Sequence, residues 1–317
     1  MSTAIKPTAH LEIRPNRTIA VHHRGSGKED TTIVLCHGSC ANMGQWAAQA
    51  DFFEEQGFGV VLYDWLGCGQ SEKPRDWYAY AADELYADLK AVVTKYKGKK
   101  RTILVGHSAG CVLSLRLAAE AEAQEAAAAG SSSPSKKYGP VTTDDALPVP
   151  SHVICVGPVL GGLPFAARAI FHLPLFMLER MQPSLSAGFA ERAYHPKTRE
   201  ASTPAHKALL ARGEATNGAN EMHMCKAYYR QFPGLSAEQI PKITRTPVLL
   251  IVGDSDLLAP ADVHARKLRP LLPTCEREVV IVPEGAHQVM EEQPEAVSKA
   301  ILDFFLQQRR RSSKGSL

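Results

Sequence analysis

The chain lacks any apolar run able to cross a membrane as a helix, which takes about 20 consecutive apolar residues. The nearest approach is residues 146–167, which hold no Asp, Glu, Lys or Arg. Pro148, Pro150, Pro158, Pro164 and three glycines interrupt that stretch, so no spanning helix is expected there. Metal-binding spacings such as C-x-x-C and H-E-x-x-H are also absent, and Gly25-Ser26-Gly27-Lys28-Glu29 is only half of a phosphate loop. The seven cysteines, Cys36, Cys40, Cys68, Cys111, Cys155, Cys225 and Cys275, are scattered and odd in number. They read as reduced thiols, not as a disulfide framework or a zinc site, and neither metal nor cofactor is expected. The first 25 residues have no apolar core of the signal-peptide kind, so a cytoplasmic location is expected and the sequon Asn16-Arg17-Thr18 is a chance match. Excess charge is missing too, since 36 basic residues against 33 acidic ones leave a net of +3. Arg309, Arg310, Arg311 and Lys314 supply four of those charges, so the rest of the chain sums to 3 − 4 = −1 and no nucleic-acid partner is indicated.

What is present is 317 residues, 44% hydrophobic and 22% charged, the composition of a soluble globular protein. That length fits two domains, or one large domain with an insertion. Short apolar, β-branched runs near 18–23, 32–36, 59–63, 102–106, 152–157, 247–252 and 278–282 alternate with helical patterns near 44–56, 78–96, 109–129, 261–272 and 294–308. Such alternation predicts an α/β fold with a mostly parallel central sheet flanked by helices. Two segments break the rhythm. Residues 119–150 run from an Ala/Glu-rich helix extension into Gly130-Ser131-Ser132-Ser133-Pro134, the composition of a flexible insertion. Residues 158–242 carry Phe165, Ile170, Phe171, Phe176, Met177, Met181, Phe189, Tyr228, Tyr229 and Phe232 without a clear strand, which predicts a helical excursion.

Gly106-His107-Ser108-Ala109-Gly110 follows the apolar run Thr102 to Val105 and precedes a helical pattern. A G-x-S-x-G pentapeptide at a strand-to-helix junction makes a sharp turn that lifts the serine hydroxyl off the sheet and aims free helix N–H groups at it. Ser108 is therefore the candidate nucleophile. Upstream, strand 32–36 ends in His37-Gly38-Ser39, where the Ser39 amide could join that of Ala109 as an oxyanion hole. His37 itself reads equally as a buried, hydrogen-bonded loop histidine. The next strand closes with Asp64-x-x-Gly67-x-Gly69-x-Ser71.

In this order the motifs resemble the α/β-hydrolase fold family, over residues 18 to 308. The resemblance implies a Ser-His-acid triad in that chain order. His287, in the loop after strand 278–282, matches the family's base, with Ala286 where many members have Gly. After strand 247–252, Gly253, Asp256 and Pro260 fit the family's acid pattern, so Asp256 is the candidate acid and Asp254 a turn cap. The resemblance further implies that 158–242 is a cap over the site. Phe171, Pro174, Met181-Gln182-Pro183 and Phe189-Ala190 make it similar to the cap of an animal abhydrolase-domain group. His223-Met224-Cys225 is a weak ligand-like cluster that reads better as helix. Glu292, not Asp, stands five residues after His287, so the acyltransferase pattern of some relatives is missing.

The sequence thus predicts a core of residues 18–157 and 243–308, an N-terminal segment 1–17, a cap 158–242 and a disordered basic tail 309–317. The expected activity is serine-dependent cleavage of a carboxylic ester or thioester, on a small-molecule substrate with an apolar acyl group. Two alternatives stay open: a catalytically silent binding or scaffold protein on the same fold, and the same triad used for carbon–carbon bond hydrolysis or perhydrolysis.

Overall fold

The computed structural model describes residues 5–130, 147–162, 165–232, 234, 240 and 243–314. The Ser/Pro-rich part of the expected insertion, residues 131–146, lies outside the described residues. Eight strands form one sheet: β1 (Ala9–Arg14), β2 (Arg17–Arg24), β3 (Thr31–Cys36), β4 (Gly59–Tyr63), β5 (Arg101–His107), β6 (His152–Val156), β7 (Val248–Gly253) and β8 (Val280–Val282). Their order is β1-β2-β4-β3-β5-β6-β7-β8. β2 runs antiparallel to β1 and β4, and every other neighbouring pair is parallel.

The helices are α1 (Ala47–Glu55), α2 (Ala82–Tyr96), α3 (Ala109–Gly130), α4 (Phe165–Ala169), α5 (Leu175–Ala193), α6 (Pro196–Arg199), α7 (Pro204–Gly218), α8 (Met222–Gln231), α9 (Ala265–Leu268), α10 (Val289–Glu292) and α11 (Pro294–Lys314). They cover both faces of the sheet, which is why β3, β4, β6 and β7 are buried at every residue. Alternate residues serve opposite layers. Ile33, Leu35, Val60, Leu62, Ile103 and Val105 pack with Phe53 of α1 and with Val297, Ile301, Phe304 and Phe305 of α11. Val34, Val61, Leu104, Val153 and Leu250 pack with Leu85 and Leu89 of α2 and with Leu113 and Leu117 of α3. Each such fully buried side chain contributes about 1.5–3 kcal/mol relative to leaving it in water.

Three sequence expectations change. Residues 9–14, assigned to an N-terminal segment, form β1, an edge strand whose alternately half-buried and exposed residues pair with β2 across Asn16, at φ 63°. The single helix expected at 261–272 is cut to α9 and a 3-10 turn, Arg269–Leu271, because Pro270 has no N–H to continue the ladder. The helix expected to stop at 308 continues to Lys314, so the backbone of 309–314 is helical and not disordered.

Between β6 and β7 the chain leaves the sheet for α4 to α8 and docks on loops at the C-terminal ends of the strands. Asn220 Nδ2 donates to the Cys40 carbonyl at 2.6 Å, Asn42 Nδ2 to Thr216 Oγ1 at 3.1 Å, and Gln231 Nε2 to the Trp77 carbonyl at 2.7 Å. The return to the sheet is fixed by one buried carboxylate. Glu122 of α3 accepts from the amides of Thr244 (2.9 Å), Arg245 (3.1 Å) and Thr246 (2.7 Å), and from Thr244 Oγ1 (3.1 Å). Burial alone would raise its pKa, but these donors outweigh it and hold the carboxylate below its ordinary value.

Candidate active site

Ser108 sits at the junction of β5 and α3 with φ 50°, a left-handed conformation that a non-glycine residue adopts at a cost of about 1–2 kcal/mol. Its surroundings enforce that conformation. The Ser108 N–H donates to the Val156 carbonyl at the end of β6 at 2.9 Å. A Cβ on Gly106 would lie 2.5 Å from the Gly110 carbonyl carbon, and one on Gly110 would lie 2.6 Å from the Cys36 carbonyl oxygen. No side chain fits at either position, so the turn closes only with glycine at both ends. Ser108 and the adjacent Ala109 are each 8% exposed, while His107 before them is buried.

The loop after β3 lies against this turn, since a Cβ on Gly38 would stand 3.2 Å from Ser108 Cβ. Ser39 follows on that loop, and Ala109 opens α3, where a first-turn N–H has no intrahelical acceptor. His37 is fully buried. Its Nε2 accepts from the Trp65 amide at 2.9 Å, so Nδ1 carries the proton and donates to the Gly38 carbonyl at 2.7 Å. Burial pushes its pKa down to about 4, which keeps the ring neutral. It therefore braces the Gly38-Ser39 loop from beneath. Asp64 braces the same region by accepting from the amides of Met43 (2.7 Å) and Gln70 (2.8 Å), and burial raises its pKa to about 6.

The two remaining candidates meet across the ends of β7 and β8. His287 Nδ1 donates to Asp256 Oδ2 at 2.8 Å, and both residues are buried. Asp256 Oδ1 is occupied by the amides of Leu258 (2.9 Å) and Ala259 (2.7 Å). Burial works to raise the Asp256 pKa, yet His287 and these two amides outweigh it and hold the carboxylate below its usual value. Asp254 is exposed and accepts from the Glu284 amide at 3.1 Å and from Ser255 Oγ at 3.0 Å.

Several residues outside the sequence candidates tie this arrangement together. His107 Nε2–H donates to the His287 carbonyl at 2.9 Å, and the two rings are 4.7 Å apart, so the residue before Ser108 holds the backbone of the histidine loop. Burial first, and the neighbouring His287 second, push the His107 pKa down to about 3. Gly157, at φ 56°, directly follows β6 beside the His287 ring, and a Cβ there would lie 3.3 Å from Cε1 and Nδ1. Glu292 accepts from the amides of Ala286 (2.7 Å) and His195 (2.6 Å), linking the histidine loop to the helical excursion. The excursion also brings Tyr229 to the site, its hydroxyl 3.4 Å from Ser39 Oγ and its ring stacked on Phe171 at 4.6 Å. His107 falls on a variable position of the pentapeptide, and Gly157 follows an apolar run like many other glycines. Glu292 carried a sequence signal in its place in the stretch following His287, and Phe171 and Tyr229 in the apolar pattern of the excursion.

His287 binds the carboxylate through Nδ1, which leaves Nε2 as its basic atom, and the serine stands on a strained turn beside backbone amides. A histidine held by a carboxylate, with its backbone tied to the residue before a serine on a strained turn, supplies the residue types that nucleophilic catalysis uses. Among the described residues no group of three or more His, Cys, Asp or Glu could hold a metal ion.

A family model for the alpha/beta hydrolase fold matches residues 31–294. Protein ABHD8 of Mus musculus is 27% identical over 303 residues, which cover 92% of this chain and 60% of that protein. The chain thus spans less than two thirds of that relative's length. The bromoperoxidase of Bacillus anthracis superposes with a TM-score of 0.71 at 19% identity, covering 94% of this chain and 99% of the other. A thermophilic esterase of Thermogutta terrifontis superposes with a TM-score of 0.70 at 17% identity, covering 96% and 97%. At these identities the two structures share the fold with this chain.

Proposed function

The chain belongs to the alpha/beta hydrolase fold family, and from that premise we propose that it is a serine hydrolase cleaving a carboxylic ester or thioester through an acyl-enzyme. The observation that carries this reading is the pair formed by His287 and Asp256 at 2.8 Å, on loops beside the strained turn of Ser108. Ser108 Oγ attacks the acyl carbon while His287 Nε2 takes its proton. Asp256 keeps the proton of His287 on Nδ1 and stabilises the imidazolium. The amides of Ser39 and Ala109 receive the charge that develops on the acyl oxygen, and removal of one such donor costs about 10²–10³-fold in rate. His287 then protonates the leaving alcohol or thiol. Water, deprotonated by the same nitrogen, releases the acid and restores Ser108.

Helices α4 to α8 act in this reading as a cap. The stacked Phe171 and Tyr229 supply apolar surface beside Ser39, which favours a small-molecule substrate with an apolar acyl group. Among the described residues no helix is long and apolar enough to cross a membrane.

A fluorophosphonate probe should label the wild-type chain and leave Ser108→Ala unlabelled, with ester or thioester turnover falling by roughly 10⁴-fold or more in the variant. A folded wild-type chain that takes no label and cleaves no member of an ester and thioester chain-length series would overturn the reading.

A further inference from the structure

Two thiols meet where the excursion touches the loop after β3. Cys40 directly follows Ser39 and has φ 55°, and Cys225 lies on α8, one turn before Tyr229. Their sulfurs are 3.7 Å apart, although the residues are 185 positions apart in sequence. Cys40 is half-buried and Cys225 buried. Contact with the Cys225 thiol holds the Cys40 pKa below its ordinary value in spite of burial, with help from the Tyr229 hydroxyl. The Cys225 pKa is correspondingly raised by Cys40 and by burial. The pair thus combines a more reachable, more acidic sulfur with a sheltered partner, the division of labour of an attacking and a resolving thiol.

We infer that Cys40 and Cys225 form a dithiol which a hydroperoxide oxidises to a disulfide, fastening α8 to the Ser39 loop and slowing access to Ser108. The Cys40 thiolate attacks one peroxide oxygen, the O–O bond breaks, and the leaving oxygen takes a proton to depart as water or alcohol. The Cys225 sulfur then displaces the hydroxyl of the Cys40 sulfenic acid, which takes up the thiol proton and leaves as water. The two sulfurs lose two electrons and the peroxide oxygens gain them. The disulfide length is about 2.05 Å, so the sulfurs must close by roughly 1.7 Å. That movement pulls on the residue next to Ser39 and binds a helix that otherwise meets this loop through contacts such as the Tyr229 hydroxyl on Ser39 Oγ. The consequence for activity rests on the proposed role of the Ser39 amide, whereas the cross-link itself does not.

The test treats the full chain with hydrogen peroxide, alkylates remaining thiols and maps peptides without reduction. Expected are one linked pair containing Cys40 and Cys225, slower hydrogen exchange across 222–231, and fluorophosphonate labelling of Ser108 slowed roughly tenfold, all reversed by dithiothreitol. Cys225→Ala, with Cys225→Ser as a second variant should the first fold poorly, is expected to form no link and show no exchange change under peroxide. A folded, oxidised chain in which Cys40 stays unlinked or joins Cys68, its other thiol neighbour, overturns the inference, as does a Cys40–Cys225 link that leaves exchange and labelling unaltered. Failure of the reduced chain to label at Ser108 would remove the hydrolase reading alone, because mapping and exchange still decide the staple.

Discussion

Asp254 and Asp256 stand two residues apart in one turn and meet opposite surroundings. Asp254 faces water and a turn amide, while Asp256 is buried against His287. Asp256→Asn should therefore lower kcat by about 10⁴-fold, since an amide cannot hold the histidine in the required tautomer. Asp254→Asn should leave steady-state kinetics nearly unchanged; equal losses in both variants would refute the assignment. Gly157 gives a second contrast. Gly157→Ala places a methyl 3.3 Å from the His287 ring and adopts φ 56° at a cost of about 1 kcal/mol. The variant should fold, as its circular dichroism would show, yet label roughly tenfold more slowly through displacement of the ring. The sequence made the strand ends that carry Ser108, Asp256 and His287 legible, because apolar runs of strand length stop at each of them. It could not show Gly157, whose need for glycine arises from a ring supplied 130 positions later, nor His107, whose bond to the His287 carbonyl depends on how two loops fold back.

Among elements, the return from α8 to β7 depends on Glu122 of α3, which collects amides of three consecutive residues. Glu122→Ala leaves those buried or half-buried donors unpaired and should cost on the order of 3 kcal/mol. The pH dependence has a defined sign. The folded pKa of Glu122 lies below its ordinary 4.5, so its contribution is fully present above pH 4.5 and is lost as pH falls through the folded value. Urea melts of wild type and variant should therefore differ most at neutral pH and converge in acid. The sheet was legible at this scale because buried parallel strands read as continuous apolar runs. β1 was not, since its half-exposed alternation of Leu11 and Ile13 with His10, Glu12 and Arg14 lacks such a run. The helical pattern at 261–272 misled because Pro270 fits its apolar spacing while breaking its hydrogen bonds.

For the whole molecule, the positive net charge belongs to the last turns of α11, whereas that helix packs on the sheet through Val297, Ile301, Phe304 and Phe305. Removing residues 309–317 should leave the melting temperature within about 2 °C and the labelling rate unchanged, while net charge drops from +3 to −1; a large loss of either would give the tail a structural duty. The proposed reacting groups all hang from loops of the sheet, and the helices between β6 and β7 meet them from outside. That separation makes the molecule resemble a socket with an exchangeable fitting, and one of the seams between them reaches the residues beside His287. The Gln288 amide donates to the Ala193 carbonyl at 3.0 Å, and the His195 amide to Glu292 at 2.6 Å, so two residues of the fitting are sewn to the segment that presents His287. A chimera that swaps all of 158–242 cuts those stitches and is expected to unsettle His287, the proposed base. One that retains Ala193 to His195 and replaces the helices on either side is expected, on the proposed activity, to change which acyl group is cleaved while His287 stays where it is.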